Sequence, residues 1–221
     1  MRKRLFLLLL AFISLCQMYA VERTKLNFNG GWLLKVGDFP GAEQANYKDA
    51  GWKQITLPRA FNEKEAFKVS IEHLSDTITW YRKHFHIQEV GDRKYFIEFE
   101  GVRFGADIRL NGKKVGYTEN GVMASGFDLT PYIIKGENVI AVRVDNSWNY
   151  RERTSGQRFQ WNDKNFNANY GGIPKNVFLH ITDKLYQTLP LYNNLKTTGI
   201  YIYGSNYDIA GKKVTVNAES Q

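Results

Sequence analysis

Cysteine is nearly absent: the chain has one, Cys16, among 221 residues. That excludes an internal disulfide framework and a cysteine-built metal finger. Proline is scarce at 5 residues, so proline-rich linkers are excluded as well. The histidines are four: His73, His84, His86 and His180. His84 and His86 are two apart and would share one face of a strand, as two metal ligands could. No cysteine and no third ligand accompany them, so the chain is read without a metal and without a cofactor. Gly30-Gly31 and Gly171-Gly172 read as turns; no phosphate-binding GxxxxGK[ST] follows either. No apolar run reaches the ~20 residues of a spanning helix, so no stable membrane span is expected. Basic residues number 30 against 22 acidic, a formal charge of +8, but they are scattered. Without a basic cluster, no nucleic-acid partner is expected. The charge reads as solvated surface that favours acidic glycans weakly at most.

What is present begins with a leader. Arg2, Lys3 and Arg4 form a basic start, and residues 5–15 are an apolar stretch of signal-peptide length. Two processing points compete. Met18-Tyr19-Ala20 allows cleavage after Ala20, against the size of Met18. Lipoprotein anchoring through Cys16 is disfavoured by the bulk of Leu15. Cleavage after Ala20 leaves 27 basic and 22 acidic residues, a charge of +5, and no cysteine. Export without disulfides points to a bacterial periplasm or cell surface.

The remainder reads as short strands between turns. Aromatic residues are abundant, with 14 Phe, 13 Tyr and 5 Trp, which favours β structure. Residues 95–100 alternate, with Glu98 and Glu100 on one side. Asn111-Gly112 tolerates the positive φ angles of a type I′ turn and predicts a hairpin with residues 107–110 and 113–117 as its arms. Residues 80–85, 138–144 and 177–181 complete the clearest strands. No window sustains a helical period, so the expected class is all-β, a jelly-roll β-sandwich. Residues 146–172 break the pattern with a long loop crowded with Trp, Tyr, Asn and Arg, of the kind that serves function or packs on a neighbour. The expected organisation is a signal peptide over 1–20, the sandwich over 21–185, and a linker with an incomplete second β domain over 186–221. Strands are expected there at 199–203 and 213–217; two strands alone cannot make a stable domain.

A set of segments then resembles glycoside hydrolase family 2, the β-galactosidases, β-glucuronidases and β-mannosidases. In order they are Gly51-Trp52-Lys53-Gln54-Ile55-Thr56-Leu57-Pro58, Trp80-Tyr81-Arg82-Lys83-His84-Phe85, Phe99-Glu100-Gly101-Val102, Leu110-Asn111-Gly112-Lys113, Phe127-Asp128-Leu129-Thr130, residues 136–146, and Tyr170-Gly171-Gly172-Ile173. The resemblance covers residues 26–184 and implies the family's N-terminal sugar-binding jelly roll, similar to galactose-binding domains. It also implies that residues 199–218 begin an immunoglobulin-like second domain. Most of these pieces also have a structural reading. Asp128 before Thr130-Pro131 is turn chemistry, Gly136-Glu137-Asn138 turns the chain, and Trp52 and Trp80 read as core anchors.

The resemblance implies a retaining β-glycosidase, whose chemistry needs two carboxyl groups about 5–5.5 Å apart. In the family both are glutamates on a (β/α)₈ barrel. A barrel needs ~250 residues of its own, so no residue here is assigned a catalytic role and the chain alone is expected to be inactive. The expected partners are a glycan or β-glycoside, reached through the complete enzyme, and the absent barrel as a packing partner. Sugars are held by flat aromatic faces and by planar amide, carboxylate or guanidinium groups. Trp148, Tyr150, Arg151, Trp161, Asn162, Asp163 and Asn167 supply that mixture and are the candidate carbohydrate contacts. Family resemblance further implies that an acidic residue from this region reaches the barrel's active site, with Asp163 the nearest match. Where some members carry another acidic residue, Asn176 stands here. Two other readings remain open: a stand-alone carbohydrate-binding module, and a surface adhesion or structural sandwich.

Overall fold

The structure, a computed structural model, describes residues 23–62, 76–119, 121, 123–158, 170–189 and 200–220. The leader, with Cys16 and the cleavage point after Ala20, lies outside these residues. Among the described residues every regular element is a strand, and no helix is long and apolar enough to cross a membrane.

Fourteen strands follow in order: β1 Thr24–Asn27, β2 Trp32–Val36, β3 Lys53–Ile55, β4 Arg59–Ala60, β5 Ile78–Ile87, β6 Lys94–Phe99, β7 Gly105–Leu110, β8 Lys113–Thr118, β9 Ser125–Asp128, β10 Gly136–Asp145, β11 Gly172–Ile173, β12 Val177–Thr182, β13 Ile200–Asp208 and β14 Lys213–Ser220. A four-stranded sheet runs β1-β12-β6-β9, and a six-stranded sheet runs β3-β2-β5-β10-β7-β8. All pairings within them are antiparallel. The all-β sandwich expected from the sequence is what forms.

Period-two alternation decides what enters the core. Tyr81 and Ile87 from β5, Ile108 and Leu110 from β7, and Ile140, Val142 and Val144 from β10 face inward. They meet Tyr95, Ile97 and Phe99 of β6 and Val177 and Leu179 of β12. Each such side chain contributes about 1.5–3 kcal/mol when fully buried. The Asn111-Gly112 turn has φ angles of 53° and 80°, as the hairpin reading requires. Asp128 accepts the Thr130 amide at 2.8 Å, the expected turn bond. Gly172 departs from expectation: it sits in β11, paired with β4, and not in a simple turn.

Glu98 is a second departure. It points away from the core with Phe96, yet it is buried. His180 of the neighbouring β12 lies 2.5 Å from its carboxylate and Lys25 of β1 lies 3.2 Å away, so the charge is matched under cover. On the same outer side, Tyr186 and Leu189 pack on Phe96.

The outer face of the six-stranded sheet also carries a cover. Trp80, Arg82 and His84 project outward from β5, and residues 37–52 cross above them. Ala42, Trp52, Trp80 and Ala141 form a small second core there, flanked by Phe39 and Tyr47. Trp52 and Trp80 are therefore anchors, as read from the sequence, but of this cover and not of the main interior. Beneath it Arg82, with no exposed surface, donates to Asp49 at 2.7 Å and to the carbonyls of Ala42 and Gln44. His84 and His86 turn to Asp49 and Glu137, and among the described residues no cluster of metal-ligating side chains occurs.

The expected strands beyond the sandwich are present as β13 and β14, an antiparallel hairpin. Tyr201, Ile202, Tyr207, Ile209 and Val216 are exposed on it.

Candidate functional site

The long loop leaves β10 at Asp145 and returns at β11. Its described parts are residues 146–158 and 170–172. The departing end is built from short-range bonds. Asp145 accepts both the amide and the hydroxyl of Ser147, at 3.0 and 2.5 Å. Asn146 is wholly buried and donates its amide to the Thr77 carbonyl. The Trp148 amide reaches Asp76 at 2.9 Å, and the Trp148 carbonyl accepts Arg158 Nε at 2.8 Å. Residues 151 and 158 meet in a bridge, and the Gly156 amide bonds the Glu152 carbonyl, so the segment folds back on itself.

That folded segment is fastened to β7 and β8. The Tyr150 hydroxyl donates to Glu119 Oε1 at 2.6 Å, and the same oxygen accepts the Arg153 amide at 2.7 Å. The Arg153 guanidinium grips Asp107 with two bonds of 2.9 and 2.5 Å and lies 4.8 Å from the Tyr117 ring centre. The Tyr150 ring lies across Gly105, where an added Cβ would fall 2.2 Å from it. Burial, then the Glu119 bond, raises the phenol well above its ordinary 10.0, so Tyr150 remains a donor at any working pH. Burial acts to raise Asp107, but the Arg153 bonds and charge outweigh it and hold the carboxyl below its ordinary 3.8.

The returning end is as firmly held. Gly171 accepts the Phe61 amide at 3.1 Å and donates to Asn62 Oδ1 at 3.3 Å. Gly172 exchanges backbone bonds with Arg103 at 2.7 and 2.9 Å. Its φ of +98° is a glycine conformation, and a Cβ there would fall 2.0 Å from the Tyr81 hydroxyl. Tyr81 in turn donates to the Arg59 carbonyl at 2.9 Å. Asn176, three residues past β11, bonds Asn29 at 2.9 Å and Glu100 at 2.8 Å. Its place is thus in a partly buried polar link between the strand ends.

Of the candidate sugar contacts, Trp161, Asn162, Asp163 and Asn167 lie outside the described residues. Trp148 and Tyr150 are half-buried and Arg151 is exposed, with its guanidinium on the Gly156 carbonyl at 3.2 Å. Tyr150 is committed to Glu119 and Gly105, so it serves as a fastener of the loop. The residues that sequence reasoning passed over are Glu119, Arg153 and Asp107. They come from three separate places in the chain, and no local pattern marks them.

Comparison with known proteins agrees with this architecture. The family described as glycosyl hydrolase 2 galactose-binding domain-like matches residues 33–180. A β-glucuronidase of Formosa agariphila is 40% identical over 211 residues, 90% of this chain and 21% of that protein. A β-galactosidase of Thermoanaerobacter pseudethanolicus is 31% identical, over 87% of this chain and 26% of that protein. Among solved structures, a β-glucuronidase from glycoside hydrolase family 2 superposes with a TM-score of 0.76 at 38% identity, covering 92% of this chain and 22% of the other. The chain thus spans about a fifth to a quarter of the length of these relatives.

Proposed function

This chain belongs to the glycosyl hydrolase 2 galactose-binding domain-like family, and from that premise we propose that it is the non-catalytic N-terminal portion of an exported β-glycosidase. Its work is to brace the catalytic barrel and to present residues 159–169, with Asp163, to the rim of the substrate site. The substrate class is a β-glycoside, of the β-glucuronide or β-galactoside kind that the relatives' names indicate.

One observation carries this reading. Both ends of the segment holding Asp163 are fixed to the sandwich, at Tyr150–Glu119 and Arg153–Asp107 on one side and at Gly171–Asn62 and Gly172–Arg103 on the other. Fixed roots set where the intervening segment leaves and rejoins the sandwich, and substrate positioning needs such anchoring. Hydrolysis with retention needs a pair of carboxyl groups, whereas Asp107 is taken up by Arg153 and Glu119 by Tyr150 and the Arg153 amide.

The test is a chimera in which this chain replaces the matching N-terminal part of the Formosa agariphila β-glucuronidase. The chimera is expected to hydrolyse a chromogenic β-glucuronide, and Asp163→Asn in it is expected to lower kcat/KM at least tenfold. The purified chain alone is expected to be inert on chromogenic β-glucuronide, β-galactoside and β-mannoside. Turnover by the chain alone, abolished by one acidic substitution, would sink the non-catalytic reading. Unchanged kinetics in Asp163→Asn would remove the rim role.

A further inference from the structure

A cleft of about 310 Å³ opens on the outer side of the six-stranded sheet, against the edge of the cover formed by residues 37–52. Asp38 and Glu43 line it from the cover; Trp80, Asp107, Arg109 and Arg143 line it from the sheet. Its volume stands at the low end of the ~300–1,000 Å³ range of small-ligand sites.

Three carboxylates, Asp38, Glu43 and Asp107, and three guanidiniums, Arg109, Arg143 and Arg153, stand in and around this cleft, and they are unevenly paired. Arg143 holds Asp38 with bonds of 3.0 and 2.6 Å, and Asp38 also accepts the Trp80 indole at 3.1 Å. Arg153 takes both oxygens of Asp107. Arg109, half-buried between them, makes no hydrogen bond or close ion pair among the described residues, although its charge helps to lower Asp107. Its cross-strand neighbours are Ala141 and Lys114, whose side chains offer no acceptor. The ladder between β7 and β8 shifts register between Ile108 and Arg109, the kind of irregularity that re-aims a side chain. Glu43, the remaining carboxylate of the lining, is half-buried and meets Gln44 at 3.5 Å.

A partly desolvated guanidinium gains most from an oxyanion that accepts two parallel N–H bonds. The other groups in the cleft, an indole edge, the Glu43 carboxylate and a fixed arginine–aspartate pair, suit hydroxyl donors and acceptors. We propose that this cleft binds an acidic sugar unit, its carboxylate or sulfate ester seated on Arg109 and its hydroxyls facing Glu43 and the Asp38–Arg143 pair. The oxyanion half stands on Arg109 and its surroundings; the sugar half rests on the family reading above.

The test is titration of the isotope-labelled chain with glucuronate, glucose 6-sulfate, glucose and acetate. The Trp80 indole N–H resonance is followed, because that group borders the cleft. One or both acidic sugars are expected to shift it, at least tenfold more tightly than glucose or acetate. Arg109→Gln is expected to weaken that binding at least tenfold with an unchanged melting temperature, and Arg109→Lys to lose part of it. Equal binding of glucose, or no loss in Arg109→Gln, would overturn the oxyanion seat. Equal binding of acetate would overturn the sugar assignment, and no shift with any ligand would overturn the site. None of these results bears on the chimera's activity, so failure of the cleft and failure of the family reading remain distinguishable.

Discussion

Tyr150 occupies the space that a side chain at residue 105 would need: a Cβ built on Gly105 falls 2.2 Å from the phenol ring. The root of the long loop is therefore set by a glycine at the start of β7, at the end of the β7–β8 pair where Ala106 faces Thr118, next to Glu119. Gly105→Ala is expected to displace Tyr150, break its bond to Glu119 and cost about 2 kcal/mol, the usual scale of overpacking. In a Tyr150→Ala background the same change is expected to cost little. A double-mutant cycle by urea unfolding checks this, and additive losses would disprove the coupling. Limited proteolysis is expected to cut residues 150–158 faster in either single variant.

Gly172→Ala is expected to be more damaging, at about 3 kcal/mol, because two costs combine. The φ of +98° disfavours any L side chain, and the new methyl meets the Tyr81 hydroxyl at 2.0 Å. Tyr81→Phe removes only the oxygen, leaving the ring carbons at 2.8 and 3.1 Å, so it is expected to rescue part of the loss. Chemical unfolding of the three variants gives the comparison; full rescue would place the whole cost on the hydroxyl contact.

Under the cover of residues 37–52, Asp49 is the carboxylate partner of the wholly buried Arg82. Asp49→Ala leaves that charge with the Ala42 and Gln44 carbonyls alone, and is expected to cost about 3–5 kcal/mol. Joining it to Arg82→Met is expected to recover much of the loss, since removing both charges removes the uncompensated one. Denaturant midpoints of the single and double variants decide it.

Acid sensitivity follows from three aspartates. The Arg143 bond lowers Asp38; in Asp49 and Asp107 burial acts upward but is outweighed by bonds from Arg82 and Arg153. All three sit below their ordinary 3.8 in the folded chain. Their stabilisation is complete above that value and drains away as pH falls through it. Each fully coupled carboxylate adds at most ~1.4 kcal/mol per pH unit to the slope, and Asp38, the most exposed, adds least because water screens it. Melting temperature is expected to stay level across the neutral range as far as these groups are concerned, then to fall below about pH 4. Asp107→Asn is expected to be less stable at pH 6 and to lose less on going to pH 3.

Much of the sandwich was readable because its strands obey a local rule. Alternation in residues 95–100, β-branched runs in 138–144 and the Asn111-Gly112 turn each carry their own signal. Glu98 was harder, since its burial depends on His180 and Lys25 from distant strands. The cover over Trp80 and Arg82 has no period at all, and it is held by carbonyls and one aspartate that sequence spacing does not reveal. The site was legible in composition and not in construction. Aromatic and amide crowding marks residues 146–172, while the bonds that hold the loop come from Glu119, Asp107 and Asn62.

The pairing of β1 with β12 joins Thr24 to Ile181 and Asn27 to Phe178. A strand from the front of the sandwich thus waits for one of the last to be made. Loop closure over such a span is slow and entropically costly. β1 therefore stays without its sheet partner until residues 177–182 are available, so the four-stranded sheet is expected to close only once the whole sandwich is present. A chain cut just before Val177 is expected to leave both β1 and β6 without the strand that joins them.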